Sequence, residues 1–267
     1  MSKTSLYKIA EQCILANSIS AKISLSYASA KAWQENELSL EEYSPILTIE
    51  SPGRPEKPEL VPPRELERRK VNSTIGHAAL IHSICHIEFN AINLAWDAVY
   101  RFQNMPTQYY DDWVKVAKEE TYHFELLSEH LTSLGYAYGD FSAHNGLWET
   151  AVATGHDPMV RMALVPRVLE ARGLDVTPGI VKKLKGIGDD RAVEILAIVH
   201  RDEIGHVEIG SRWFRYLCDQ RELNSEEIFK ELINEYMKGV LRGPFDHEVR
   251  KRAGFTEEEL LFLESAN

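Results

Sequence analysis

The sequence predicts an all-α protein built on a four-helix bundle, with additional helices at both ends of the chain. Three observations support this. Apolar residues recur at helical spacing over long segments, for example at Leu6, Ile9, Ala10 and Cys13. No segment alternates polar and apolar residues convincingly enough to predict a strand. A glutamate followed about one helix later by a Glu-x-x-His motif occurs twice, a pattern typical of paired helices in a bundle.

The chain divides into four expected segments. Residues 1–44 predict an N-terminal helical extension. Residues 45–70 should be extended, because this segment holds six of the eleven prolines, and proline fixes φ and lacks an N–H to donate. The sequence leaves open whether this segment only links its neighbours or wraps along the bundle. The four long core helices are expected within 71–222, and short helices packed on that core within 223–267.

Residues that begin and end helices predict the boundaries. Aspartate before proline is typical of a helix start, as at Asp157-Pro158, and Gly135 fits a left-handed helix end. Thr256 and Glu259 have the spacing of a capping box. The expected helices cover about 4–36, 72–102, 109–134, 157–173, 177–186 and 190–220, with short helices from about 225 and 256.

Composition narrows the function classes. The formal net charge is −11 and the isoelectric point about 5.4, which disfavours binding to nucleic acid. The three cysteines, Cys13, Cys85 and Cys218, lie far apart, so we expect no disulfide framework and a reducing compartment. Neither a leader peptide nor a membrane span is recognisable, and we therefore expect a cytoplasmic protein without a membrane partner.

The repeated motif predicts a dinuclear metal site. Residues three apart on a helix share a face, so each Glu-x-x-His pair offers a carboxylate and an imidazole to one point. Two lone glutamates, 32 and 33 residues upstream of the two pairs, would complete the set from facing helices. Mixed oxygen and nitrogen donors favour two iron ions, or iron with manganese. The expected ligands are Glu88, Glu120, His123, Glu170, Glu203 and His206.

Neighbouring residues predict outer groups and a cavity. Glu119 and Asp202 each precede a ligand glutamate and could accept the second N–H of a ligand histidine, fixing its tautomer. His200, one turn before Glu203, could serve similarly. Apolar residues near the ligands would line a cavity for an organic substrate, and Pro166 should kink or loosen its helix. The expected cavity residues are Ile84, Cys85, Tyr122 and Pro166.

Longer motifs resemble a known superfamily. The segments His82-Ser-Ile-Cys-His86-Ile-Glu88, Glu170-Ala-Arg-Gly-Leu-Asp-Val-Thr-Pro178, Asp202-Glu203-x-x-His206-Val and Gly243-Pro-Phe245 resemble the ferritin-like superfamily of dinuclear carboxylate proteins. Within it, they look like a bacterial family catalogued as a domain of unknown function. The resemblance covers about residues 50–255 and implies a ferritin-like four-helix bundle with the six ligands above. The family is distantly similar to the tRNA-hydroxylating branch, so tRNA stays open as a partner despite the acidic charge.

Three functions fit these observations. The first is an oxidase or hydroxylase that uses dioxygen, an electron donor and an organic substrate of small or medium size. The second is a ferritin-type ferroxidase or other metal-handling protein. The third is a non-enzymatic bundle in which the metal only stabilises the fold. For an enzyme we expect a monomer or a small homo-oligomer, because nothing in the sequence indicates cage-forming surfaces.

Overall fold

The fold is all-α. The computed structural model describes residues 3–41, 45–237, 239 and 241–266. Helices take up 69% of the residues and strands 2%. Within the described segments, no helix is both long and apolar enough to cross a membrane. The chain forms two compact units, Met1–Val152 and Ala153–Asn267. The finer prediction of a ferritin-like four-helix bundle, and the four-segment division of the chain, stay predictions.

The N-terminal unit is built from paired helices. Helices α3 and α4 pack against each other, with α1 against α3 and α2 against α4. Gly135 has a φ of +83° directly after α4, which confirms the left-handed helix end expected there. The helices of this unit are α1 (Leu6–Leu15), α2 (Ile19–Gln34), α3 (Thr74–Arg101), α4 (Thr107–Ser133) and the start of α5 (Gly146–Ala153).

The expectation of one continuous helix over residues 4–36 is wrong. Helix α1 ends at Leu15, and α2 begins at Ile19 after Ser18, which has extended backbone and accepts a hydrogen bond from Ala21 N at 3.2 Å. Serine competes for backbone hydrogen bonds in this way, which favours a new helix start over helix continuation. The expected absence of strands is also wrong, because a parallel pair, Thr4–Ser5 and Leu38–Ser39, flanks the two helices.

A buried lysine closes the end of α1. Lys22 Nζ donates to the carbonyl oxygens of Cys13 and Ile14 at 2.8 and 2.9 Å, and to Asn93 Oδ1 at 2.6 Å. These carbonyls belong to the last turn of α1, where no further turn of the helix supplies donors. Burial lowers the pKa of Lys22 to about 7, and the negative end of the helix dipole favours its protonated form. Lys22 therefore connects α1, α2 and α3 through three polar contacts in a site closed to water.

The proline-rich segment follows the helices of the N-terminal unit. It contains a short 3₁₀ turn at Pro63–Glu65 and otherwise no helix among its described residues. Gly53 N donates to the carbonyl oxygen of Ile14 at 2.9 Å, and Trp148 Nε1 donates to that of Ile49 at 3.1 Å. The segment thus wraps along the helices, the alternative that the sequence left undecided.

The C-terminal unit begins with the predicted Asp157-Pro158 start. Asp157 accepts a hydrogen bond from Met159 N at 2.8 Å, and the capping box of Thr256 and Glu259 is present, so both predicted caps are confirmed. Asp189 caps the long helix by accepting from Ala192 N. The elements are α6 (Pro158–Leu164), a π-helix (Val165–Glu170), α7 (Ala171–Gly186), α8 (Asp190–Gln220), α9 (Ser225–Tyr236), α10 (His247–Arg252) and α11 (Glu257–Ser265).

The expected helix break between Gly173 and Thr177 is wrong. Helix α7 runs through both residues and through Pro178, which lacks an N–H for the carbonyl of Leu174 one turn earlier. His200 Nε2 on α8 lies 3.4 Å from this carbonyl oxygen and donates to it weakly. A contact from α8 thus compensates for the donor that proline removes, and the helix continues.

Candidate metal centre

The first set of predicted ligands meets between α3 and α4, and we call Glu88, Glu120 and His123 the first triad. His123 Nδ1 lies 3.3 Å from Glu120 Oε2 and 3.4 Å from Glu88 Oε2. One ligand atom from each residue lies within 4.8 Å of the others. The side chains are buried, with exposed fractions of 3%, 1% and 0% for Glu88, Glu120 and His123. Helical spacing puts Glu120 beside His123, and the packing of α3 on α4 adds Glu88.

The pKa values of two residues in the first triad are raised. Burial raises the pKa of Glu88 well above its ordinary value, and the negative charge of Glu120 raises it further. Burial alone would lower the pKa of His123, but its interactions with Glu120 and Glu88 outweigh this and raise it to about 11. Without a metal the cluster therefore binds protons at neutral pH. A divalent cation would take their place, because ligand carboxylates and imidazole bind metal in their deprotonated forms.

One carboxylate oxygen of the first triad has an unusual environment. Glu88 Oε2 is buried and accepts no hydrogen bond from the residues that the structure describes, since its 3.4 Å contact with His123 lacks hydrogen-bond geometry. A buried polar atom left without a hydrogen bond costs about 1–3 kcal/mol, and more when it is charged. The donor set of the first triad, two carboxylates that include this oxygen and one imidazole, fits a divalent iron or manganese ion.

The second set lies on the π-helix and α8, and we call Glu170, Glu203 and His206 the second triad. His206 Nδ1 is 3.7 Å from Glu203 Oε1, one turn apart on α8. His206 is buried, and the side chain of Glu203 is 13% exposed. Glu170 is the last residue of the π-helix and is half-buried. The second triad repeats the residue types and the i, i+3 pair of the first.

A glycine that the sequence reasoning missed brings the π-helix close to α8. Gly210 lies one turn after His206, and a Cβ atom there would come within 2.4 Å of Pro166 Cγ. Only a residue without a side chain permits this approach of the Pro166 ring. Pro166 was expected to kink or loosen its helix, and the irregularity here is a π-helix, which is common at functional sites. The signal in the sequence was a glycine one turn beyond a predicted ligand histidine.

The predicted outer groups make other contacts as well. Glu119 pairs with Lys115 at 3.6 Å, and Asp202 accepts from Arg201 Nε at 2.8 Å. His200 contacts the α7 carbonyl described above. These contacts do not test whether Glu119, Asp202 or His200 orients a ligand histidine, and that role stays a prediction.

The predicted substrate cavity also stays a prediction. Cys85, Ile84 and Pro166 are buried, whereas Tyr122 is 45% exposed. A cavity of about 540 Å³ lies elsewhere in the N-terminal unit, on the opposite face of α3 from Glu88. It is bordered by residues 65–71, by the outer face of α3 and by residues 141–147. His86 lies on its wall and contacts Tyr138 Oη and the carbonyl oxygen of His144, the inter-segment hydrogen bonding typical of a packed histidine.

Comparison with known proteins identifies the family. Residues 15–261 match the family model described as "Protein of unknown function (DUF455)". The chain belongs to the DUF455 family. The chain is also similar to a protein from Haemophilus influenzae that is described as "Uncharacterized protein". The two are 49% identical over 213 residues, which cover 77% of this chain and 74% of the relative. No solved structure matches. The segment matched to DUF455 includes both triads, and its description states no function, so function is argued from the side chains.

Proposed function

We propose that this DUF455 protein is a ferritin-like dinuclear metalloprotein that binds two iron ions, or one iron and one manganese. The observation that carries the proposal is the first triad, in which two buried carboxylates and a buried imidazole lie together and Glu88 Oε2 accepts no hydrogen bond from any described residue. The second triad has the same residue types at matching spacing, which supports a second ion. The proposed ligands are Glu88, Glu120, His123, Glu170, Glu203 and His206.

The charges of the triads support divalent metal binding. Each triad holds two carboxylates and one imidazole, so a single divalent cation would neutralise it. Burying the carboxylates without a cation opposes folding, because a desolvated charge costs several kcal/mol unless it is paired or protonated. The raised pKa values of Glu88 and His123 agree with a site whose side chains are protonated until a metal ion binds.

We propose further that the bound ions serve an oxidase or hydroxylase reaction on an organic substrate. Two iron ions supply redox chemistry toward dioxygen, with electrons from the substrate or a donor. The protein's part is to hold the ions and to exclude water. Phe89 and Phe124, which follow Glu88 and His123 in the sequence, are buried with their rings in contact and provide apolar surface that excludes water.

A stability experiment tests the metal site without requiring a known substrate. Glu88→Gln removes the carboxyl group that has to take up a proton on folding at pH 7, so the metal-free variant should resist urea better than the metal-free parent at that pH. The sign follows from the raised pKa of Glu88, since a carboxyl group that is hard to ionise in the folded state lowers stability above its ordinary pKa. Added Fe(II), without oxygen, should stabilise the parent by about 3 kcal/mol at 100 times the dissociation constant, and the variant much less.

The control is Glu129→Gln, which removes an exposed carboxylate from α4, the helix that carries Glu120 and His123. It should gain as much stability from Fe(II) as the parent does. A parent protein whose unfolding midpoint does not respond to Fe(II) or Mn(II) would contradict the proposed site. Oxygen consumption by the iron-loaded protein, measured with and without candidate substrates, then separates an oxidase from a ferroxidase.

A further inference from the structure

The C-terminal part of the chain holds the segment that carries Glu170 at two places. Before Glu170, Arg167 Nη2 on the π-helix donates to Glu259 Oε2 on α11 at 2.6 Å. After it, Asp175 on α7 accepts from Arg250 on α10, through Nη2 at 2.7 Å and Nε at 2.9 Å. Glu170 therefore lies between two ion pairs, both formed with residues 241–265, which we call the C-terminal clamp.

The Arg167–Glu259 pair is buried in an aromatic box. The guanidinium carbon lies 4.9, 4.3 and 4.6 Å from the ring centroids of Phe214, Phe229 and Phe255. Arg167 is fully buried and Glu259 is 2% exposed, so each charge depends on the other. Removing one partner of such a pair leaves an uncompensated buried charge, which is strongly destabilising. The pair thus fixes the π-helix firmly to α11.

Glu259 has a second role that couples the clamp to the folding of α11. The same oxygen, Oε2, accepts from the backbone N–H of Thr256 at 3.0 Å and completes the capping box of α11. Formation of this helix start and attachment to Arg167 therefore use one carboxylate. A solvated surface helix with its own cap would need no such buried contact.

Several further contacts support the Asp175–Arg250 ion pair, which follows Glu170 in the chain. Asp175 Oδ1 accepts from Asp246 N at 2.9 Å as well as from Arg250. The Arg250 guanidinium lies 5.0 Å from the ring centroids of both Phe245 and Phe255. Arg172 Nη1 donates to the carbonyl oxygen of Pro244 at 3.2 Å, closer still to Glu170 along the chain.

The backbone at Glu170 needs such support. A π-helix has a wider turn and is rare beyond a single turn, so its own hydrogen bonds fix a side chain less firmly than those of an α-helix. Pro166 removes a further N–H donor within the same turn. Metal ligands must be held within about 0.5 Å of the binding geometry to be effective.

We propose that the C-terminal clamp is a positioning element of the second triad: it holds Arg167 and Asp175 so that Glu170 is kept in place to bind a metal ion. This inference rests on the proposed metal site. Its consequence is specific, because loosening the clamp should weaken the ion held by the second triad and leave the first triad unaffected.

Cobalt(II) binding tests the proposal, since bound Co(II) gives a visible absorption spectrum and is oxidised by dioxygen much less readily than Fe(II). The purified, metal-free full chain is titrated with Co(II), and bound cobalt is counted by equilibrium dialysis. The test variant is Glu259→Gln. The matched control is Glu257→Gln, which makes the same change two residues away in an exposed pair with Lys251. Circular dichroism at 10 °C verifies that each variant is folded.

The parent and Glu257→Gln should bind two cobalt ions with the same two affinities. Glu259→Gln should keep the affinity for one ion and bind the other at least tenfold more weakly, with loss of its part of the visible spectrum. Asp175→Asn, which keeps one oxygen acceptor but loses the negative charge and the second acceptor for Arg250, should show the same selective loss. It carries the test alone if Glu259→Gln does not fold.

Three different results would overturn the inference. Folded Glu259→Gln and Asp175→Asn proteins that bind both ions as the parent does would show that the clamp only supports the fold. A parent protein that binds no cobalt would reject the proposed metal site together with the inference. Equal weakening of both ions in the variants would also contradict it, because a general loss of stability is not selective for Glu170.

Discussion

Gly210→Ala should disturb the second triad through a steric clash at one defined place. The new methyl group would lie 2.4 Å from Pro166 Cγ and 2.5 Å from Pro166 Cβ. Carbon atoms in contact are normally about 3.5–4.0 Å apart, so the π-helix would have to move by about 1 Å relative to α8. The ring belongs to the segment that carries Glu170, and the displacement therefore reaches a proposed ligand.

The magnitude follows from two opposing terms. Overpacking of this kind typically costs about 1–3 kcal/mol. Replacing glycine by alanine inside a helix returns about 0.5–1 kcal/mol, because alanine loses less conformational freedom on folding. Gly205→Ala provides the comparison on the same helix, since a Cβ there meets no described atom within 4 Å. The helix gain is common to both variants, so they should differ by the overpacking cost of about 1–3 kcal/mol, with Gly205→Ala the more stable.

Thermal unfolding of the metal-free proteins measures this difference. For proteins of this size about 1 kcal/mol shifts the melting temperature by about 2–4 °C, so Gly210→Ala should melt about 2–12 °C below Gly205→Ala. Cobalt titration of Gly210→Ala should in addition show weaker binding of one ion. A melting temperature for Gly210→Ala equal to or above that of Gly205→Ala would refute the close approach of Pro166 to α8.

Three further predictions concern other parts of the chain. Lys22→Met should destabilise the protein by about 3 kcal/mol in urea, since the Cys13 carbonyl and Asn93 Oδ1 lose the Lys22 donor and the Ile14 carbonyl keeps only Gly53 N as a donor among the described residues. The exposed Lys31→Met should change little, and equal midpoints would contradict the role of Lys22. In Asp157→Asn the ion pair with Arg221 is lost. Burial alone would raise the pKa of Asp157, but the ion pair with Arg221 and the Met159 N–H outweigh burial and lower the pKa. The difference in unfolding free energy between the parent and Asp157→Asn should therefore be largest above about pH 5 and should shrink below about pH 4. A difference that grows in acid would contradict this. Burial raises the pKa of the thiols of Cys13, Cys85 and Cys218, to about 11 for Cys13 and Cys218. Thiol reagents at pH 8 should therefore label the native protein on the order of 100-fold more slowly than the unfolded protein. Rapid labelling of any of the three cysteines would contradict this expectation.

Features that depend on neighbouring residues were predictable from the sequence. The Asp157 cap, the capping box at Thr256 and the left-handed Gly135 all follow from a few adjacent residues, and all three are present. The i, i+3 spacing likewise predicted that Glu120 and Glu203 each lie beside a histidine, and the observed separations are 3.3 and 3.7 Å.

Features that depend on distant contacts were not predictable. Pro178 was expected to begin a helix, but the carbonyl it leaves without a donor contacts His200, which is 26 residues from Leu174. Arg250 belongs to a basic run that is typical of a solvated surface, yet it is 2% exposed and pairs with Asp175, 75 residues away. Helical periodicity around Ser18 also hid the break between α1 and α2.

The metal content of the protein purified from cells without added metal tests the central claim most directly. Elemental mass spectrometry should find about two iron ions, or one iron and one manganese, per chain. Glu120→Ala, which removes a ligand from the first triad, should lose metal while Glu129→Gln retains it. Protein that contains no metal, and that takes up none when Fe(II) is supplied without oxygen, would contradict the dinuclear site.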